Sequence, residues 1–210
     1  MSAPRFPLCF LDRLRMATDG QGVTALVGAY GCPLSCRLCI NPYTWREGTK
    51  FEWVTPEELY DRVKQDNLYY LATGGGVTFG GGEPLDHADF IAAFRAVCPP
   101  EWHLSAETSL HVPAENVRTA AGCVDHFFAD IKDTDPGIYK AYTGQDNRLV
   151  LENLSLLLSL VGPDRVTVRV PLIPGYNDEA AREKSLKLLS SMGIVHTDFF
   201  TYKIPKQTGQ

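Results

Sequence analysis

The rhythm of the chain limits its fold more than any other feature. Short β-branched and aromatic runs alternate with longer stretches of helical period. Residues 23–30, 77–79, 103–107, 126–131, 166–170 and 198–202 read as strands. Helices are predicted between them. The first starts at a capping box of Thr55 and Glu58, with Pro56 at its first position, and runs to Leu71. Others cover 86–97, 114–121, 136–142, 147–161 and 178–192, the last closed by Gly193. Such alternation calls for parallel pairing with right-handed crossovers, in a doubly wound sheet or part of a β/α barrel. In both, ligands gather at the C-terminal ends of the strands.

The distinctive segments fall at those ends. A cysteine loop follows the first strand and "GGGEPL" the second; "ETS", "DIK" and "RVPLIPGYND" end the next three. A length of 210 residues suits one sizeable core, so a single domain over 1–210 is expected. Apolar content of 44% and charged content of 21% describe an ordinary globular chain. The net charge of −5, with no lysine/arginine block, argues against a nucleic-acid partner. No apolar run reaches the roughly 18 residues of a membrane span, and the N-terminus shows no secretory signal. A cytoplasmic location is expected.

Three of the six cysteines, Cys32, Cys36 and Cys39, lie in "GCPLSCRLCINP" with C-x3-C-x2-C spacing. In a reducing compartment such a cluster points to metal or catalysis rather than to disulfides. A structural zinc would need a fourth ligand, and no histidine stands close by. A redox pair of Cys36 and Cys39 leaves Cys32 unexplained. An iron–sulfur cube on three thiolates keeps one iron open, as catalysis requires. Cys9, Cys98 and Cys123 sit among apolar residues and read as inert thiols. His87, His103, His111, His126 and His196 show no ligand spacing, and the leucines of 149–160 read as a core-facing helix stripe.

The cysteine spacing resembles the signature of the radical S-adenosylmethionine (SAM) superfamily. "VTFGGGEPL", "DIKDTDPGIYKAYTG", "LENL" and "VRVPLIPGYND" are similar to its glycyl-radical-enzyme activating enzymes, such as pyruvate formate-lyase activating enzyme. The likeness spans residues 18–180. It implies a partial (β/α)6 radical SAM barrel over 18–204, with no ferredoxin-like insert. It also implies one 4Fe-4S cluster on Cys32, Cys36 and Cys39, with SAM on the open iron. Reductive cleavage would give a 5′-deoxyadenosyl radical that takes a glycine α-hydrogen from a partner glycyl radical enzyme.

Carried over by position, backbone at Leu38 and Ile40 would meet the adenine of SAM. Gly81, Gly82 and Glu83 would hold its methionyl end, with Asp130 and Lys132 near carboxylate and ribose. Lys132 and Arg169 would act in the pocket. A monovalent cation would sit at Glu107, Thr108 and Asp130, where Glu107 replaces the family's aspartate. Lys203 stands where the family has a SAM-contacting histidine. Flavodoxin or ferredoxin would supply electrons to a monomer. Two alternatives remain at this point: a radical SAM enzyme acting on another peptide or small molecule, and a non-catalytic iron–sulfur or zinc protein.

Overall fold

The computed structural model describes residues 4–16 and 19–202. Its centre is one eight-stranded sheet in the order β3-β1-β2-β4-β5-β6-β7-β8. Six strands are mutually parallel: β2 (Val23–Ala29), β4 (Gly76–Gly81), β5 (His103–Thr108), β6 (His126–Asp130), β7 (Val166–Arg169) and β8 (His196–Asp198). The first five are strands read from the sequence, and the sixth lies beside the position read for it. The sheet does not close: β3 forms one edge and β8 the other, so the β/α array is a partial barrel.

Two strands escaped the sequence reading. β1 (Phe6–Met16) runs antiparallel to β2, and β3 (Glu52–Val54) antiparallel to β1. The alternation of β1 is blurred by register shifts between Leu8 and Phe10 and between Asp12 and Arg15, and Leu14 takes φ 58°. Two residues then oppose one, and the period of two is lost.

Two boundaries also move. The helix expected from Pro56 to Leu71 is two helices, α1 (Pro56–Val63) and α2 (Asn67–Thr73), joined by a 3-10 turn at Lys64–Asp66. Asp66 ends that turn, 2% exposed, and Arg13 of β1 holds its carboxylate through two bonds of 2.6 Å. That long-range clamp is absent from any local pattern. The last strand lies at His196–Asp198 rather than 198–202, with a further isolated bridge between Leu172 and Thr201. As an edge strand with every residue exposed, it has no need of the apolar side chains that attract a sequence reading.

The remaining helices are α3 (Ala88–Val97), α4 (Ala114–Ala121), α5 (Pro136–Thr143), α6 (Arg148–Val161) and α7 (Glu179–Ser191). The strand period decides which face they cover. Ala25, Val27, Val77, Phe79, Leu104, Ala106, Phe127, Ala129, Val166 and Val168 are buried in the main core with helix residues such as Leu59, Phe90, Phe94, Val117 and Leu154. On α6 the buried set is Val150, Asn153, Leu154 and Leu157, one turn apart, whereas Leu160 is exposed. The alternate strand positions, including Thr78, Ser105, Glu107 and Asp130, belong to the other, polar face. No helix among the described residues is long and apolar enough to cross a membrane.

Candidate functional site

A cleft of about 700 Å³ opens on that polar face. Its position follows from how the ends of β2 and β4 are joined. Gly82 N–H donates to the Ala29 carbonyl at 2.9 Å, and Glu83 N–H to the Gly31 carbonyl at 2.8 Å. The glycines make this approach feasible. A Cβ on Gly81, at φ 86°, would lie 2.7 Å from the Gly28 Cα, and one on Gly82 would collide with the Gly31 carbonyl oxygen. "GG" is therefore required by the neighbouring strand, and both glycines still line the cleft.

The cysteine loop is tied down on its other side by α5. Ser35 N–H donates to Thr143 and Arg37 N–H to Tyr142, while Gly31 N–H reaches back to Thr44. Asp135 caps α5 by accepting from Gly137 and Ile138, so "DTDPGIYKAYTG" builds a support for the loop. Cys32, Cys36 and Cys39 all line the cleft. Burial pushes the Cys32 thiol up to about 12, with Glu83 adding to it. It pushes Cys36 up to about 11 despite the opposing charge of Lys132. Iron coordination removes such protons outright.

Glu83 lies deeper. It is 1% exposed and does not line the cleft. Its Oε1 accepts from Leu85 N–H at 3.1 Å and the Thr108 hydroxyl at 2.6 Å; its Oε2 accepts from Ser109 N–H at 2.8 Å and the Ser109 hydroxyl at 2.6 Å. Burial raises its pKa from the ordinary carboxylate value, and the four donors oppose that rise. The side chain staples the β4 end to the β5 end.

Across the cleft, Asp130 at the end of β6 and Lys132 two residues beyond it both line the pocket. Lys132 Nζ donates to Asp130 Oδ2 and to the Tyr202 hydroxyl, both at 2.9 Å. Burial works to lower the lysine pKa, but Asp130 foremost, with Tyr202 and Cys36, holds it well above the ordinary value. Asp130 Oδ1 is buried and has no hydrogen-bond partner among the described residues. Arg169 crosses the Phe128 ring, its guanidinium 4.6 Å from the centroid, and donates to Glu107 at 2.7 Å. Burial raises the Glu107 pKa against the pull of Arg169.

Of the residues read from the sequence, Ile40, Gly81, Gly82, Asp130, Lys132 and Arg169 share the cleft with the cysteines. Leu38 instead packs with Tyr142, Ile173 and Tyr202. Lys203 lies outside the described residues. Of the three residues read as a cation site, Glu107 carries Arg169, Asp130 carries Lys132, and Thr108 donates to Glu83. Missed residues include Phe10, Asp12 and Arg15, hidden with β1, and Tyr202, whose phenol reaches Lys132 across 70 positions of sequence.

Residues 26–189 match the radical SAM superfamily. The chain belongs to this superfamily. It is 37% identical over 131 residues to the (2S)-3-sulfopropanediol dehydratase activating enzyme of Klebsiella oxytoca, across 61% of this chain and 40% of that relative. It is 26% identical over 224 positions to the isethionate sulfite-lyase activating enzyme of Nitratidesulfovibrio vulgaris, across 78% of this chain and 73% of the relative. With the (2S)-3-sulfopropanediol sulfolyase activating enzyme of Bilophila wadsworthia it shares 30% over 219 positions, across 76% of this chain and 72% of the other. The first of these matches thus spans well under half of the relative's length. SuiB from Streptococcus suis, solved with precursor peptide SuiA, superposes with a TM-score of 0.65 at 11% identity, covering 85% of this chain and 38% of that one. TYW1, solved with a lysine-pyruvate adduct, gives 0.59 at 15%, covering 88% and 66%. Identities this low establish the radical SAM fold alone.

Membership implies a 4Fe-4S cluster and SAM, and the donor set suits them. No three His, Cys, Asp or Glu side chains among the described residues converge as a lone metal ion would need. The thiolates of a cube bind separate irons, and three thiols lining one cleft suit such a cluster. The unpartnered Asp130 Oδ1 offers an acceptor to a polar ligand beside them.

Proposed function

We propose that this chain is an activating enzyme: it cleaves SAM reductively and uses the resulting 5′-deoxyadenosyl radical to take a glycine α-hydrogen from a partner glycyl radical enzyme. One observation carries the reading. The C-x3-C-x2-C thiols line the same cleft as Gly81, Gly82, Asp130 and Lys132, in a chain similar to several activating enzymes.

Cys32, Cys36 and Cys39 would hold the cluster, which when bound supplies one electron at low potential to the sulfonium. The protein's own part is positional. Lys132, kept cationic by Asp130, stands ready to pair with a carboxylate. Asp130 Oδ1 stands ready to accept from an ammonium or a hydroxyl. Arg169, braced on Phe128 and Glu107, keeps a second cation in the cleft. Gly81 and Gly82 bring backbone to the cysteine loop, where the methionyl end would lie. Flavodoxin or ferredoxin would act as donor to a cytoplasmic monomer whose radical SAM core is residues 18–204, with a monovalent cation completing the acidic side.

The test is anaerobic reconstitution followed by SAM with a reductant. The expected results are a changed paramagnetic spectrum of the reduced cluster on SAM addition, and a glycine-centred doublet in a candidate partner. Deoxyadenosine without any such doublet would point to a different substrate. A protein that takes up no iron, or a Cys36→Ala variant that still cleaves SAM, would defeat the reading.

A further inference from the structure

We infer that an exposed aromatic and basic surface behind the cysteine loop is the docking face for an acidic one-electron carrier protein; the assignment rests on the radical SAM reading above.

The surface is built from residues that the cleft does not use. Tyr30 stands two positions before Cys32, at the end of β2, and its ring stacks on Phe51 with centroids 4.4 Å apart and planes 7° from parallel. Phe51 meets Trp53 edge-on at 5.7 Å. Trp53 lies on β3, the outermost strand, 50% exposed, and Phe51 is 39% exposed. The Tyr30 hydroxyl donates to the Arg46 carbonyl, which joins the ladder to the end of the cysteine loop. An exposed run of large rings is costly in water unless something covers it, and aromatic residues with arginine are enriched at interface centres.

Charge selects the occupant. Arg46, whose carbonyl holds the Tyr30 hydroxyl, and Lys50, next to Phe51 in the chain, stand by the rings with Glu47 as the single acid between them, in a chain of net charge −5. All three are exposed. Nearby Glu52 is paired with Arg62. A basic rim on an otherwise acidic protein attracts an acidic partner and opposes face-to-face pairing of two copies through this patch.

Placement selects the role. Tyr30, Phe51 and Trp53 are absent from the cleft lining, so a protein seated on them leaves the polar face clear for a substrate. A glycine that is to lose hydrogen must enter that cleft; an electron need only reach the cysteine loop. Redox encounters use small interfaces, which suits a ladder of three rings with a charged rim. The step balances simply. One electron leaves the carrier, oxidising it by one equivalent, and enters the centre held by the three thiolates. No proton or leaving group moves at the surface.

The probe is flavodoxin, measured in two arms on the reconstituted protein and on an Arg46→Glu/Lys50→Glu variant, with Trp53→Ala as a second variant. The first arm is direct binding by titration calorimetry over a range of salt. The second is SAM cleavage driven by reduced flavodoxin or by dithionite. The expected result is binding weakened roughly tenfold or more by charge reversal, with a shallower salt dependence. Flavodoxin-driven cleavage should fall in step while the dithionite rate is unchanged. Unaltered flavodoxin binding in both variants overturns the assignment. So does a dithionite-driven loss of glycyl radical in a partner enzyme, which would give the face to the substrate protein. Failure of the wild type to cleave SAM with dithionite overturns the functional reading itself, and this surface with it.

Discussion

Gly82→Ala tests the joint on which the site depends. A Cβ at this position would lie 2.9 Å from the Ala29 oxygen and closer still to the Gly31 oxygen, both backbone atoms that cannot swing aside. Relief requires β4 and the cysteine loop to part. That breaks the bonds from Gly82 N–H to Ala29 and from Glu83 N–H to Gly31. Two hydrogen bonds at about 1 kcal/mol each, plus about 1–3 kcal/mol for overpacking, give a loss of roughly 3–5 kcal/mol. Gly193→Ala is the control. Gly193 has φ 90°, with no atom within 4 Å of an added Cβ, so only backbone strain of about 1–2 kcal/mol applies. Urea unfolding with unchanged slope would compare the two, and iron bound after anaerobic reconstitution would report the loop. Gly82→Ala should show the larger loss and reduced iron, whereas Gly193→Ala should keep its iron. Equal costs, or full iron uptake by Gly82→Ala, would refute the claim that this contact positions the cysteines.

Three further outcomes are expected. Glu83→Gln should cost about 2–4 kcal/mol, because each carboxylate oxygen accepts one backbone N–H and either amide orientation sets N–H against N–H; a loss under about 1 kcal/mol in chemical denaturation would contradict this. Lys132→Met should destabilise by about 2–4 kcal/mol by stranding Asp130, and adding Asp130→Asn should recover more than half of it; additive losses would count against a coupled pair. His126, its pKa lowered to about 4 by burial and then by neighbouring cations, stays neutral in the folded protein. Its contribution to stability is complete above the ordinary value of 6.5 and is lost as pH falls from 6.5 towards 4. Allowing for solvent screening this is about 1–2 kcal/mol, and a thermal-melt pH profile of His126→Gln should be flatter by that amount.

The readable parts of the fold were those with a local cause. Thr55 and Glu58 announce a helix start through their own side chains and cap as expected, while Asp135 before Pro136 and Asp178 before α7 carry the same local signal and cap their helices. β4 to β7 are short apolar runs because one face is covered by helices. β1, β3 and β8 were hidden or misplaced because pairing rather than composition makes them strands: β1 is interrupted by bulges, β3 has three residues, and β8 is exposed throughout.

At the site, the division is between chemical identity and contact. The sequence alone determined that three thiols, a glycine pair and an Asp-x-Lys step would stand at the C-terminal ends of strands, because spacing and the strand period of two act within a few residues. Only the tertiary structure decided that Glu83 turns inward to bind Thr108 and Ser109, that Lys132 is held by Tyr202, and that β1 walls the cleft. Those outcomes depend on which distant groups burial forces together, and desolvation leaves no local trace along the chain.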